Sequence, residues 1–179
     1  MDLLPETVRE RILDNIRKTL VEISTRAGYY FDFNEKTVQR WSMHGNRMID
    51  LPMVVISPGD EEETSLLNGF EECVMSVYLD VFFINDENDE EFATDTYLSR
   101  LQGDIKKAIF IDYTRGGNAI DTDIAGTTPF ETTEGQHYAG IIVELKIRYR
   151  HKRNNPTKKI NEEEHHVTVD TKKTISSKD

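Results

Sequence analysis

The amino-acid sequence predicts an α+β fold in which a mostly antiparallel β-sheet of four to five strands carries two α-helices packed on one face. Apolar residues occupy every second position in residues 139–150 and again in residues 73–84, which is the period of a strand with one buried face. Apolar residues recur at steps of three and four in residues 8–23 and 97–109, the spacing of amphipathic helices. The two helices can therefore cover the apolar face of the two long strands.

The first part of the chain is predicted to form a helix and a β-hairpin. Pro5 suits the first turn of a helix and Glu10 suits its positive N-terminal end, so we expect the helix to run to about Ser24. The aromatic residues 29–33 indicate a strand that turns into a second strand at residues 36–41.

The middle of the chain is predicted to supply two strands and the second helix. Residues 52–56 are wholly apolar and predict a short central strand, which ends at a turn at residues 57–60 that leads into an acidic loop. The long strand 73–84 also has apolar residues on its second face, which predicts that another subunit packs there. A helix at residues 96–109 contains Gly103, which costs it about 1 kcal/mol relative to alanine, so this helix depends on tertiary packing.

Two irregular segments complete the chain. Residues 112–136 predict a long interaction loop, or else a loop that holds a short strand such as 119–120. Residues 1–155 are expected to form one domain, and residues 156–179 a polar tail that is extended or becomes ordered only against a partner. Within the tail, residues 165–169 are the one fragment suited to adding a strand to another sheet.

Length and composition limit the class of protein. A chain of 179 residues with 37% hydrophobic residues can bury one core of ordinary size. The single cysteine, Cys73, excludes a disulfide framework, and its apolar neighbours favour an inert thiol in the core. No apolar run reaches the roughly 18 residues of a membrane span, and the N-terminus lacks the basic region of a signal peptide, so we expect folding in the cytoplasm.

The charges are divided between two parts of the chain. The net charge of −11 argues against general affinity for nucleic acid. Acidic residues dominate from 60 to 91, whereas basic residues gather from 146 to 159. This division is typical of identical molecules that meet acidic side to basic side, or of an acidic surface that faces DNA without holding it; the alternative is a merely soluble surface. The predicted interface residues are the acidic Asp60, Glu61, Glu62, Glu63, Asp86, Glu87, Asp89, Glu90 and Glu91 and the basic Lys146, Arg148, Arg150, Lys152 and Arg153.

No pattern in the sequence predicts a catalytic, cofactor-binding or metal site. Asp86, Asn88 and Glu90 have the spacing of a calcium loop, but a glutamate stands where that loop requires glycine. Asp121 and Asp123 are followed by a suitable glycine but lack the closing bidentate glutamate. The chain is therefore predicted not to be an enzyme and to need no cofactor.

The elements are expected in the order helix, hairpin, apolar strand, acidic loop, long strand, helix, long loop and amphipathic strand. Their most specific sequence features are the apolar strand 52–56, the helix 96–109 and the segment 138–140 that leads into the last strand. In this order and in these features, residues 5–156 resemble the tail terminator, or tail completion, proteins of long-tailed bacteriophages. The resemblance implies an α+β fold assembled as a hexameric ring.

The resemblance also implies a structural protein of the virion, at the neck of the tail. Such rings cap the tail tube when it reaches its set length and give the filled head its docking surface. The implied partners are further copies of the chain, the tail tube protein, a head–tail connector or stopper protein and, in a contractile tail, the sheath protein. DNA would pass through an acidic bore without specific binding, and no membrane is involved. The family brings no catalytic residues.

Two other interpretations stay open. The nearer one is another ring of the neck, such as an adaptor, or a component of the baseplate, although adaptor rings tend to be helical. The further one is a metal-dependent hydrolase whose carboxylate cluster would consist of Asp86, Asp89, Asp121 and Asp123.

Overall fold

The described part of the protein consists of two helices and one β-sheet. The computed structural model describes residues 5–42, 50–84, 94–131 and 138–159. The helices within these ranges are α1 (Val8–Val21) and α2 (Thr94–Ile111). The strands are β1 (Val38–Arg40), β2 (Met53–Ser65), β3 (Phe70–Ile84), β4 (Asp121–Glu131), β5 (Tyr138–Lys152) and β6 (Asn155–Lys159). The predicted α+β class is confirmed, with one strand more than predicted.

The strands form a single, mostly antiparallel sheet, as predicted. Its order is β1-β2-β3-β5-β4, and β6 pairs with the end of β5. The one parallel pair among the described strands is β1 with β2. The two longest strands, β3 and β5, pair along their whole length. The centre of the sheet therefore consists of the two strands whose alternation is visible in the sequence.

The hydrophobic core lies against one side of β3 and β5. The odd-numbered residues 73–83 of β3 and 139–149 of β5 are buried on this side, which we call the core face, and we call the opposite side the outer face. Since a buried aliphatic side chain contributes about 1.5–3 kcal/mol, this cluster is the main stabilising element of the fold. The helices contribute to it Val8, Ile12, Leu13, Ile16 and Leu20 from α1 and Leu101, Ile105, Ala108 and Ile109 from α2.

Local signals set the ends of α1. The side chain of Thr7 accepts a hydrogen bond from the backbone N–H of Glu10, and the Glu10 carboxylate accepts one from the backbone N–H of Thr7. This capping box satisfies N–H groups that the first turn would otherwise leave unpaired. The helix thus begins at Val8, after Pro5 rather than around it, and ends at Val21, before the predicted Ser24. No helix among the described residues is long and apolar enough to cross a membrane.

The predicted aromatic hairpin is wrong. Residues 29–33 form no strand; the backbone N–H groups of Tyr30 and Phe31 donate to one carboxylate oxygen of Asp104 on α2, at 2.8 and 3.0 Å. Because the Asp104 carboxylate accepts from these two N–H groups, they are not available to pair with a neighbouring strand. Phe33 lies in the core, Tyr29 and Phe31 pack against it, and Tyr30 is exposed. β1 is a three-residue strand that runs parallel to β2.

The predicted turn after Ile56 is also wrong. β2 continues through Pro58 to Ser65, with an irregular register between Pro58 and Glu61. The pairing of β1 with β2 ends at Arg40↔Ile56. After Ile56, β2 has no strand partner on that side among the described residues. A proline at a bulge of such an edge removes no essential ladder hydrogen bond. The acidic residues 60–63 consequently lie in a strand and not in a loop.

The predicted interaction loop is replaced by a turn and a long strand. β4 pairs with β5 from Asp121↔Arg148 to Glu131↔Ala139 and crosses an irregular register at residues 124–126. The remaining residues of the predicted loop, 132–136, lie outside the described residues. β6 occupies the first residues after the predicted domain boundary at 155. The rest of the predicted tail, including residues 165–169, also lies outside the described residues.

Candidate subunit interface

A three-stranded arm of the sheet brings seven of the fourteen predicted interface residues together. It consists of residues 60–65 of β2, 70–75 of β3 and 147–152 of β5. Residues 66–69 form the turn between β2 and β3 at its tip. The antiparallel register puts acidic strand ends of β2 and β3 beside the basic end of β5. The structure thus brings the acidic and the basic residues, which are distant in sequence, together in the arm.

One side of the arm carries exposed acidic residues. Asp60, Glu62 and Glu63 on β2 are exposed and form no ion pair with the described residues, and we call them the acidic edge. The backbone of β2 beyond Ile56 has no strand partner on this side among the described residues. Unpaired strand edges attract other strands, and charged side chains restrict which strands can approach. The acidic edge is therefore suited to a positively charged neighbour.

The other side of the arm carries exposed basic residues. Arg148 lies on β5 opposite Asp121, at the beginning of β4, and Lys158 lies on β6. Both side chains are exposed, neither forms an ion pair with the described residues, and we call them the basic edge. The two sets have opposite charge and lie on the strands to either side of β3; Glu62 and Arg148 both flank Val74 on the outer face, and Arg148 is followed on its far side by Asp121 of β4. Such non-identical, complementary sides are what a head-to-tail contact requires.

Three of the predicted basic residues form ion pairs within the chain. Two nitrogens of Arg150 lie 2.7 and 2.6 Å from Oε2 of Glu72, which faces it across the strand pair. Arg153 Nε lies 3.0 Å from Glu71 Oε1. Lys146 Nζ donates to Ser76 Oγ at 2.7 Å and lies 3.1 Å from Glu144 Oε1. The hydrogen bond to Glu144, together with the negative charge of that carboxylate, raises the pKa of Lys146. A further predicted residue, Lys152, places its Nζ 5.7 Å from the Phe70 ring centroid.

Glu61 joins the arm to α1 on the core face. Tyr149 Oη donates to Glu61 Oε1, and Arg9 Nε of α1 lies 3.0 Å from Glu61 Oε2. Burial and this hydrogen bond raise the pKa of Tyr149 above its ordinary value, so the hydroxyl keeps its proton and stays a donor. Although Glu61 was predicted to be an interface residue, its carboxylate is engaged within the chain at both oxygens.

A cysteine and a histidine meet beside this ion pair. Cys73 is fully buried, and its Sγ lies 3.5 Å from His151 Nε2. His151 Nδ1 lies 3.0 Å from the carbonyl oxygen of Lys152, which can only accept, so Nδ1 is the donor in this contact. His151 Nε2 also lies 4.0 Å from Glu71 Oε2. Burial raises the pKa of the Cys73 thiol to about 11. A buried thiol of this kind is a poor nucleophile, so the pair supports the structure rather than a reaction.

The outer face of the sheet carries one half-buried carboxyl group among apolar side chains. Asp80 lies between Val55 of β2 and Ile142 of β5 in the register, and Ser57 Oγ is 3.5 Å from its Oδ2. Burial raises the pKa of Asp80. Next to it the rings of Phe82 and Phe130 meet edge to face at 5.3 Å. The predicted apolar character of this face is thus present, and the packing of another subunit on it stays a prediction.

The other predicted acidic residues, Asp86, Glu87, Asp89, Glu90 and Glu91, lie outside the described residues. Asp121 and Asp123 lie on β4, and no three His, Cys, Asp or Glu side chains of the described residues are grouped so that they could hold a metal ion. The carboxylate cluster of the alternative hydrolase interpretation therefore has no counterpart in the described ranges.

Two buried charged residues were missed by the sequence analysis. Asp104 binds the 29–33 segment, as described above, and burial raises its pKa although the backbone donors oppose this. Arg115 is fully buried with a left-handed backbone, φ 52°, and its guanidinium donates to the carbonyl oxygen of Ile109 near the end of α2. Burial lowers the pKa of Arg115. The only sequence signal for it is the following Gly116-Gly117, which marks a turn.

Comparisons with known proteins do not assign the chain to a family. No protein-family model matches it, and no curated protein matches it.

Proposed function

We propose that the protein is a structural component of a bacteriophage tail, a tail terminator that forms a ring, with six copies as the expected number. The ring would cap the tail tube, stop its growth and give the head its docking surface. In the proposed fold both helices cover one face of the sheet, as the resemblance in the order of the elements implies. The ring would be a virion component of the neck, built in the host cytoplasm, with no catalytic residue.

The observation that supports this proposal best is the arm with its two unlike edges. Identical surfaces favour a closed dimer, whereas two different, complementary surfaces on one chain favour rings or filaments. The acidic edge and the basic edge are such a pair. An acidic surface toward a bore would also repel DNA and so let it slide. The residues nearest such a bore are proposed to be those of the acidic edge or of 86–91.

Native mass spectrometry of the full chain, alone and with the tail tube protein, tests the proposal. We expect a six-subunit ring, or a monomer that forms rings only at tube ends; negative-stain images should then show capped tubes of constant length. A connector or stopper ring would instead bind the head–tail connector while leaving tube ends uncapped. A chain that stays monomeric or dimeric and ignores tube ends would contradict the proposal.

A further inference from the structure

Large apolar side chains are exposed at the C-terminal end of α2. Phe110, Ile111 and Tyr113 have exposed fractions of 49%, 71% and 53%, although Ala108 and Ile109 just before them are fully buried. We call these three residues the α2 patch. Three large apolar side chains within four positions form the kind of surface that marks an interaction site.

The backbone around the α2 patch is held in place by one carboxylate. Asp112 Oδ2 accepts from the backbone N–H of Gly116 at 2.6 Å and from Asn15 Nδ2 at 3.1 Å. Its other oxygen, Oδ1, accepts from the Thr114 hydroxyl at 2.9 Å. The patch is therefore already ordered in the single chain, so a segment that binds it loses little free energy in ordering the surface.

The last described residue of the chain lies beside this turn. Lys159 Nζ donates to the carbonyl oxygen of Gly117 at 3.3 Å. The preceding part of β6 is fixed as well, because Arg11 Nη2 of α1 donates to the carbonyl oxygen of Thr157 at 3.0 Å. β6 thus brings the chain to the turn that follows the α2 patch, and the twenty residues 160–179 come directly after it, outside the described residues.

The sequence after β6 has the length and the apolar residues to cover the α2 patch. Phe110 is seven positions from Gly117 in sequence, so the two are at most roughly 25 Å apart, whereas ten residues can span more than about 30 Å. We call residues 160–169 the C-terminal segment. It begins with an apolar residue and has two more at its end, which are Ile160, Val167 and Val169.

The N-terminus is the other part of the chain that could cover the patch. Arg11 Nη1 donates to the carbonyl oxygen of Glu6 at 2.7 Å, so residues 1–4, with Leu3 and Leu4, also begin near the turn. Four residues span at most about 14 Å, however, and they start from Pro5. The C-terminal segment starts against Gly117 itself and is longer, so length and position favour it as the occupant.

We propose that the C-terminal segment folds back over the α2 patch of its own chain, with the apolar residues of the one against those of the other. The inference goes beyond the proposed ring and does not depend on it. Because the contact lies on α2, it leaves the acidic edge and the basic edge of the arm free.

The reactivity of a thiol placed in the patch tests this contact in the full chain. Ile111→Cys supplies the thiol, since the native Cys73 is buried. A second variant adds three substitutions in the C-terminal segment, Ile160→Asp, Val167→Asp and Val169→Asp. We expect a chromogenic disulfide reagent to react about tenfold faster with the second variant, because an intact segment leaves the patch open only about a tenth of the time.

Two matched controls show whether the protection is specific. Lys18→Cys places a thiol on the exposed side of α1, and its reaction rate should not change when the same three substitutions are added. Leu3→Asp with Leu4→Asp should leave the Ile111→Cys thiol as slow as it is with the native N-terminus. Equal rates with and without the aspartates in the C-terminal segment, or a faster rate after the N-terminal substitutions, would overturn the inference.

Protein concentration distinguishes a contact within one chain from a contact between chains. Protection by the same chain should be equal at all dilutions, and a short bis-maleimide should join Ile111→Cys to Val167→Cys within a monomer. Lys18→Cys with Val167→Cys should give much less of this product. Protection that is lost on dilution would assign the patch to another copy and overturn the inference.

The two proposals can fail separately. If the thiol is protected within a monomer but the chain forms no rings and ignores tube ends, the tail-terminator proposal is wrong and the contact on α2 is right. If rings cap tubes while the thiol reacts equally fast in both variants, the tail-terminator proposal stands and the contact on α2 is wrong.

Discussion

Gly140 occupies a position of β5 that has no space for a side chain. A Cβ atom at this position would lie 2.1 Å from the carbonyl oxygen of Val81 and 2.5 Å from the ring of Phe130. A side chain can rotate away from a clash, but the carbonyl belongs to the backbone of β3 and cannot move without disturbing the ladder. The glycine thus lets Phe130 lie across β5 and meet Phe82 on the outer face. Aromatic cover of a strand glycine is therefore part of the packing of this face.

We expect Gly140→Ala to destabilise the protein by about 1–3 kcal/mol, the usual cost of overpacking. Urea unfolding followed by circular dichroism measures the change. Gly126→Ala is the matched control on the neighbouring strand, because a Cβ there meets no atom within 4 Å. The control should stay within about 0.5 kcal/mol of the wild type. Equal effects of the two substitutions would show that Gly140 is not sterically confined.

Asp80 makes stability depend on pH in the direction opposite to that of a salt-bridged carboxylate. Burial raises its pKa in the folded protein, so the folded state binds this proton more tightly than the unfolded state does. The cost of ionising Asp80 is present at neutral pH, and it disappears as the pH falls through the raised folded pKa toward the ordinary value of 3.8. We expect Asp80→Asn to raise the free energy of unfolding at pH 7, and this gain to vanish below pH about 4.

Urea titrations at several pH values measure this gain. The exposed Asp123→Asn on β4 is the control and should show no such pH-dependent difference. A gain for Asp80→Asn that is equal at pH 7 and pH 4 would show that the carboxyl group is not desolvated.

At the scale of elements, the sequence was informative where periodicity and burial agree. β3, β5 and both helices were predicted because their apolar residues repeat at 2.0 or 3.6 positions over three or more turns or pleats. Their ends differ from the prediction by a few residues, since caps and pairing partners decide the ends. The capping box at Thr7 is an example of a local signal that sets one end.

The wrongly predicted elements are those that tertiary contacts decide. Residues 29–33 have strong β propensity, but Asp104 of α2 binds their backbone N–H groups. β4 carries glycine, threonine and a proline, which are turn residues in isolation, yet its pairing with β5 makes it a strand. β2 keeps its strand through Pro58 because that part is an edge. The contact of Asp104 with Tyr30 joins residues 74 positions apart in sequence.

The sequence predicts which residues of the candidate site are charged, but it does not predict how they are arranged. The division into acidic and basic residues was visible in the sequence, and Asp60, Glu62, Glu63 and Arg148 are exposed on the arm. The register of the strands decides which of these charged side chains form ion pairs within the chain. Arg150 faces Glu72 only because β3 and β5 pair in this register, although the two residues are 78 positions apart in sequence.

At the scale of the whole molecule, the two edges of the arm predict how copies recognise one another. Each edge offers exposed charges of one sign, so contacts between like edges are repelled and contacts between unlike edges are attracted. Copies with this asymmetry therefore associate in one relative orientation only, head to tail. Such attraction between exposed charges weakens as salt is added, because the screening length falls from about 10 Å at 0.1 M to about 3 Å at 1 M.

Charge reversal of the two edges tests this arrangement in mixed assemblies. The first variant carries Glu62→Lys and Glu63→Lys, and the second carries Arg148→Glu and Lys158→Glu. Each variant alone has two edges of like charge, so we expect its association to weaken by about 2 kcal/mol per contact, or roughly 30-fold.

In an equal mixture every contact again joins unlike edges, if the two variants alternate. An alternating ring closes only with an even number of subunits, so native mass spectrometry should show rings with three copies of each variant. Lys106→Glu, a single charge reversal away from the arm, should assemble as the wild type does. Failure of the mixture to recover, with both variants folded, would mean that the acidic edge and the basic edge do not meet.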